Sequence, residues 1–449
     1  MRLTLTLYLC LFGVLTACHC ANAQSNQPMP LTLTQAIELA LMQNRELKLA
    51  RLSVTDSEHK KEIARSAYFP QISNDSRVTY ITELAGVEIP AGAFGNHPDT
   101  GLIPGQNLFL DQGALTSYTS GTGLTQPLSQ MFKIRASNRA AAADVANARA
   151  QVNLTQNQIA LKARQLYYGI LVAQMKQQAA QEEINASQVN LEESLSEVER
   201  GQALEVTALE SRASALDARQ NDLVQRLQIR DQTIELNDLL GLPLQTKLQL
   251  DPTVDGATAA IPPREECIRI AQERSPEIQS AKQSVEKARA GLAAAKDEYI
   301  PDVTGLARYS YQSGIPFLVH NFGTFGFSFT YDLFDGGKRI AQVKDSRTLL
   351  SEAELNLTRI EEEVSVQVET AYDKVEQMQD LVGVADQVRK TREEASRVSD
   401  RRFEQTAALA SARAEAHAKA ISAQASFLEA TLGLSLAQGE LRRTMGELP

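Results

Sequence analysis

The chain has 449 residues, no Trp and only 5% aromatic residues, and long stretches are filled by Ala, Gln, Glu, Arg and Ser. That composition belongs to long helices and excludes a compact aromatic core. A formal net charge of -10, with 45 basic residues interleaved among 55 acidic ones, excludes the clustered basic surface that nucleic acid requires.

Residues 1–23 read as a signal peptide: Met1-Arg2 is followed by an apolar run from Leu3 to Ala17, too short to span a membrane as a mature helix. Two processing sites fit. Leu15-Thr16-Ala17-Cys18 has the lipoprotein form, with lipid on Cys18, and Ala21-Asn22-Ala23 has the small-x-small form of ordinary cleavage before Gln24. Cys10, Cys18 and Cys20 lie at the extreme N-terminus and Cys267 alone sits in the body, so no disulfide framework or thiol catalyst follows. A metal site at Cys18-His19-Cys20 lacks a second ligand cluster, and no metal or other cofactor is expected. No later stretch reaches about 18 consecutive apolar residues, so any membrane span must be made of strands.

Residues 33–70 match residues 264–301 at a constant offset of 231, with Ile37, Glu46, Ala50, Tyr68 and Pro70 meeting Ile268, Glu277, Ala281, Tyr299 and Pro301. From about residue 125 to 241 an offset of 205 pairs Leu128 with Leu333, Tyr167 with Tyr372, Leu204 with Leu409 and Gly241 with Gly446. The unit is duplicated, with a first repeat over 31–250 and a second over 262–449. The offsets differ by 26 residues, which places extra chain between Val78 and Leu124 of the first copy. Pro90, Pro98, Pro104 and many Gly make this insertion a loop.

A helix over Leu33–Tyr68 opens the first copy. After the strands, the region from Met131 to Arg200 has no Pro, and Val145, Val152, Ile159, Leu166, Ala173 and Ala180 recur every seven residues. Ile184, Leu191 and Val198 resume the step after a four-residue jump, which is coiled-coil packing with one stutter. At about 1.5 Å per residue this helix is a rod on the order of 100 Å. Leu350, Leu357, Val364, Ala371, Met378 and Ala385 repeat the pattern. Gly201 marks the turn into a shorter helix over Leu204–Leu240, and Thr406 stands opposite it in the second copy.

Between the helices, Phe325, Phe327, Phe329, Tyr331 and Leu333 alternate with Gly326, Ser328, Thr330 and Asp332, the period of a strand with one apolar face. Asp302–Gln312 offers its partner, and Ile72–Thr82 with Leu115–Gln126 supplies the first copy's pair. Strands near ten residues suit a tilted membrane crossing, and aromatic alternation in a soluble sheet has the same look. Four strands cannot close a barrel and lipid forbids an open edge, so membrane strands require copies of the chain.

The opening Leu31-Thr32-Leu33-Thr34-Gln35-Ala36-Ile37 with Asn44 and Leu47, the strand exits Gln126-Pro127-Leu128 and Asp332-Leu333-Phe334-Asp335-Gly336-Gly337, and Arg200-Gly201 at the hairpin tip together resemble the TolC-like outer-membrane efflux family. The likeness covers essentially the whole mature chain. It implies a mainly α fold with a small membrane β-barrel: a homotrimer in outer-membrane lipid, four strands per chain closing a twelve-stranded barrel, and a coiled-coil α-barrel in the periplasm. It also implies a channel-tunnel for tripartite efflux or type I secretion, partnered by a periplasmic adaptor (membrane fusion) protein and an inner-membrane pump. No phosphate-binding loop appears, and no enzyme activity is expected. The chain departs from the family at Ser129-Gln130-Met131-Phe132, which lacks the Gly-Gly of the second copy, and at Gln405-Thr406-Ala407-Ala408, which lacks the family's usual gating charges.

The resemblance places a periplasmic gate at the tips near Gly201 and Thr406. The nearest acidic candidates are Glu205, Glu210 and Glu415, with Arg413 close enough to offset one; the alternative is that they are ordinary solvated residues of charged helices. Two rival functions remain. A catalytic site would need His or carboxylates converging in a pocket, and the five histidines are scattered. A periplasmic coiled-coil adaptor or structural coiled-coil protein accounts for the heptads and not for four strands at matched positions.

Overall fold

The computed structural model describes residues 28–110, 113–252, 261–315, 319–405 and 409–448. The signal segment with Cys18, and Thr406, lie outside the described residues. In chain order the elements are β1 (Met29–Leu31), α1 (Leu33–Gln43), α2 (Arg45–Ser66), β2 (Gln71–Tyr80), β3 (Val87–Ile89), β4 (Asn96–His97), β5 (Gly101–Leu102), β6 (Leu108–Leu110), β7 (Thr116–Pro127), α3 (Met131–Glu199), α4 (Glu205–Leu239), β8 (Leu248–Leu250), α5 (Arg264–Arg274), α6 (Pro276–Asp297), β9 (Asp302–Ser313), β10 (Asn321–Thr330), α7 (Lys338–Glu404) and α8 (Ala410–Thr444). The chain divides into two compact units, one of Met1–Arg51, Gln151–Glu277 and Glu361–Pro449, the other of Leu52–Ala150 and Ile278–Ile360.

In the first unit, α1 buries Leu33, Ala36, Ile37 and Ala40, one stripe at helical spacing, in a core with Ile159, Ala163, Leu166, Tyr167 and Ile170 of α3 and Leu236 at the end of α4. Thr32 starts α1 with a reciprocal capping box on Gln35. Short strands β1 and β8 pair in parallel beside this core, and the buried Tyr167 hydroxyl ties them: it lies 2.9 Å from the carbonyl oxygens of Leu31 and Asp251 and accepts from the Asp251 N–H at 3.0 Å. The seven-residue seams of α3 and α7 are buried or half-buried throughout, as coiled-coil packing requires.

The single helix expected over Leu33–Tyr68 is two helices. At Asn44 the backbone leaves the helical region (φ -56, ψ 131), and its side-chain oxygen accepts from the N–H groups of Glu46 and Leu47 at 2.9 and 3.2 Å, capping α2. The second copy breaks at the matching Ser275, φ -55 and ψ 127, just before Pro276.

The second unit holds a four-stranded antiparallel sheet in the order β10-β9-β7-β2. The insertion expected as a plain loop instead folds on itself as two small ladders, β3 with β6 and β4 with β5. Glycines 92, 95 and 101 take positive φ at its turns, and Asn107 braces it by accepting from Ala91 N–H and donating to Glu88. Strand β10 starts at Asn321 and stops at Thr330, short of the Tyr331 and Leu333 that the alternation included. Arg339 ends it by donating to the Asp332 carbonyl, while Asp335 turns the chain into α7.

Candidate functional site

Register decides what each face of the sheet carries. Following the paired residues from β2 through β7 and β9 to β10, one face takes Ile72, Val78, Tyr80, Tyr118, Leu124, Tyr309, Tyr311, Phe325, Phe327 and Phe329. Phe325 is 86% exposed within the chain and Phe327 78%. The strands hold four charged residues, Asp75, Arg77, Asp302 and Arg308, and all four fall on the opposite face. Apolar-out and polar-in alternation over strands of 10 to 12 residues is the membrane-barrel pattern. Strands β2 and β10 each leave one edge without a strand partner among the described residues, and unpaired backbone groups in lipid cost several kcal/mol each.

The two strand exits into the long helices are built differently. In the second copy, Gly336 and Gly337 take φ +66 and +87, and the Asp335 carboxylate accepts from the Arg339 guanidinium at 2.7 Å and from the N–H groups of Arg339 and Gly337 at 3.1 and 2.9 Å. These bonds, the guanidinium first, push the Asp335 carboxyl down to about 2. In the first copy, Ser129 accepts from the Val303 N–H at 2.7 Å and no glycine turn is needed.

At the first hairpin tip Gly201 sits at φ +69, where a side chain is disfavoured, with Gly201 N–H donating to Val198 O at 2.9 Å and Gln202 N–H to Glu197 O at 2.8 Å. Glu205 and Glu210 lie on the first turns of α4, exposed and without an ion-pair partner among the described residues. Glu415 differs. It is paired with Lys419 one turn along α8, and both line a polar groove of about 620 Å³ with Glu183, Asn190, Asn221 and Ser411, on α3, α4 and α8. Sequence reasoning missed Glu193, whose carboxylate accepts from the Ser411 N–H at 3.1 Å and so caps α8 from α3, and the buried Ser194–Ser211 bond of 2.8 Å that clasps the first hairpin.

A family model described as outer membrane efflux protein matches residues 36–242 and 267–447, both halves of the chain. The chain belongs to the outer membrane efflux protein family. Solved structures agree on the fold of this efflux protein. The Campylobacter jejuni CmeC outer membrane channel superposes with TM-score 0.75 at 14% identity, covering 92% of this chain and 85% of that one. The outer membrane protein VceC of Vibrio cholerae gives 0.70 at 16%, covering 92% and 96%. The open state of the Neisseria gonorrhoeae MtrE channel gives 0.67 at 17%, covering 92% and 89%. No curated protein matches the chain. Among the described residues no helix is long and apolar enough to cross a membrane and no side-chain cluster fits a metal ion.

Proposed function

We propose that three copies of this outer membrane efflux protein close a twelve-stranded barrel in the outer membrane and continue it as a helical duct in the periplasm. Cargo delivered by an inner-membrane pump and passed on by a periplasmic adaptor leaves through it. The observation that carries this reading is the sheet, with every strand charge on one face, the aromatic residues concentrated on the other, and two open edges. Leu209, Leu216 and Leu223 of α4 add to it, a seven-residue stripe each more than half exposed within one chain. A coiled-coil adaptor or fibre would have no use for such a sheet.

The test is amine cross-linking of the protein purified in mild detergent, followed by planar-bilayer recording. The ladder stops at three and the trimer conducts. A monomer that stays soluble without detergent overturns the reading. An epitope at Asn96, in the insertion at the sheet end opposite the helices, is labelled on intact cells; labelling only after rupture contradicts the topology.

Two residue-level proposals belong to the same reading. Cys18 carries the lipid anchor, which mass spectrometry of the mature N-terminus decides, since an unmodified chain beginning at Gln24 excludes it. Glu205 and Glu210, near Gly201, are the acidic groups of the periplasmic gate, while the ion pair with Lys419 offsets Glu415. Glu205→Ala and Glu210→Ala lower cation preference in bilayers and Glu415→Ala changes it less; silence of the first two leaves the gate to helix packing.

A further inference from the structure

The charged face of the sheet holds an arrangement that conduction alone does not require. Arg308 on β9 and Asp75 on β2 are separated by β7, yet they form a two-pronged ion pair, Nη1 to Oδ1 at 3.1 Å and Nη2 to Oδ2. Gly121 on β7 makes this reach possible, because register puts it opposite both Asp75 and Ser310 and a Cβ there would lie on the Arg308 guanidinium. The pair therefore neutralises the Asp75 carboxylate.

Arg77 lies two residues farther along β2 on the same face, and its rung neighbours across the sheet are the neutral Thr119 and Gln312. It forms no ion pair among the described residues. Asp302, the remaining charge of the face, stands at the other end of β9 from the rung of Arg77 and shares Lys133 with Glu298, at 3.3 and 3.2 Å. Around the Asp75–Arg308 pair each chain thus presents one positive charge in excess, that of Arg77, to the barrel interior, opposite in sign to the -10 of the whole chain.

We infer that the three Arg77 guanidinium groups of the closed barrel form a cationic ring that favours small organic anions, bearing carboxylate or phosphate, over cations. This inference rests on the channel reading. Fixed charges around a pore raise the local concentration of counter-ions, over a distance of about 10 Å at 0.1 M salt and about 30 Å at 0.01 M. The preference is therefore strongest in dilute salt and fades near 1 M.

The experiment compares the wild-type trimer with Arg77→Gln and Asp75→Asn in planar bilayers under a potassium chloride gradient at low ionic strength. Current block by inositol hexakisphosphate, added from the side of the 86–110 insertion, is the second readout and does not depend on selectivity at the hairpin tips. R77Q lowers the chloride-to-potassium permeability ratio by about twofold, the scale of a partly screened charge, and weakens the block. D75N shifts the ratio the other way. Open channels whose reversal potential and block are the same in wild type and R77Q overturn the ring. A wild-type trimer that does not conduct at all overturns the channel reading itself, and the ring with it.

Discussion

The two repeats solve the same backbone problems, and they differ in which solutions use the same residues. Both hairpins end in a glycine at positive φ, Gly241 at +70 and Gly446 at +78, and in both the next residue's N–H reaches back to the carbonyl five residues earlier, Leu242 to Asn237 at 2.8 Å and Glu447 to Arg442 at 2.9 Å. At the helix breaks the backbone angles also agree, but the Asn44 side chain accepts from two N–H groups of the next helix, whereas Ser275 donates to Glu277 at 2.6 Å and is followed by Pro276, which has no N–H to satisfy. At the strand exits Gly336 and Gly337 face Met131 and Phe132, and there the turn itself differs. A conformation that only glycine adopts easily is kept together with its glycine; a helix start accepts any chemistry that satisfies its donors.

The matched tyrosines diverge most in their chemistry. Tyr167 is buried and tied to both strands of the small parallel pair, while Tyr372 stacks under Arg264, whose guanidinium lies 4.8 Å from the ring and is ion-paired with Glu369, Asp373 and Glu376. Tyr167→Phe should therefore destabilise the solubilised protein by about 1–3 kcal/mol, the cost of leaving buried backbone groups without a partner. Tyr372→Phe should leave the melting temperature nearly unchanged. Equal effects would break the comparison.

Gly241→Ala and Gly446→Ala should each lower stability by about 1–2 kcal/mol, because an L residue is disfavoured at these angles. The loss should be larger at 446, where a Cβ would press on the Arg274 carbonyl. Thermal melting in detergent ranks the pair.

Asn44→Ala should cost about 1 kcal/mol through loss of the α2 cap, with Asn44→Asp retaining most of it. Ser275→Ala tests the other break, and its effect should be smaller because Pro276 supplies part of the start.

The smallest effect belongs to Asp335. Its folded-state carboxyl is held down to about 2, below its unfolded value of about 3.9, so its contribution is present above that unfolded value and is lost as pH falls toward 2. Melting followed from pH 5 to 2 should show an acid-dependent fall that is reduced in Asp335→Asn. Gln130, at the matching position of the first copy, has no such titration, and Gln130→Ala should leave the profile unchanged.

The sequence by itself determined the repeat, the long heptad helices, the hairpin turn at Gly201 and the existence of four strands. Each of these is a local period, of seven residues or of two, or a single residue with restricted backbone angles, and such signals lie within a few residues of one another. Only the tertiary structure decided that Asp75, Arg77, Asp302 and Arg308 share one face, that Glu415 lines a groove with residues of α3 and α4, and that Glu193 caps α8. Strand register relates residues as far apart as Asp75 and Arg308, and a shift of one residue would exchange the faces, so the placement of those charges follows from long-range pairing that one-dimensional periodicity does not encode.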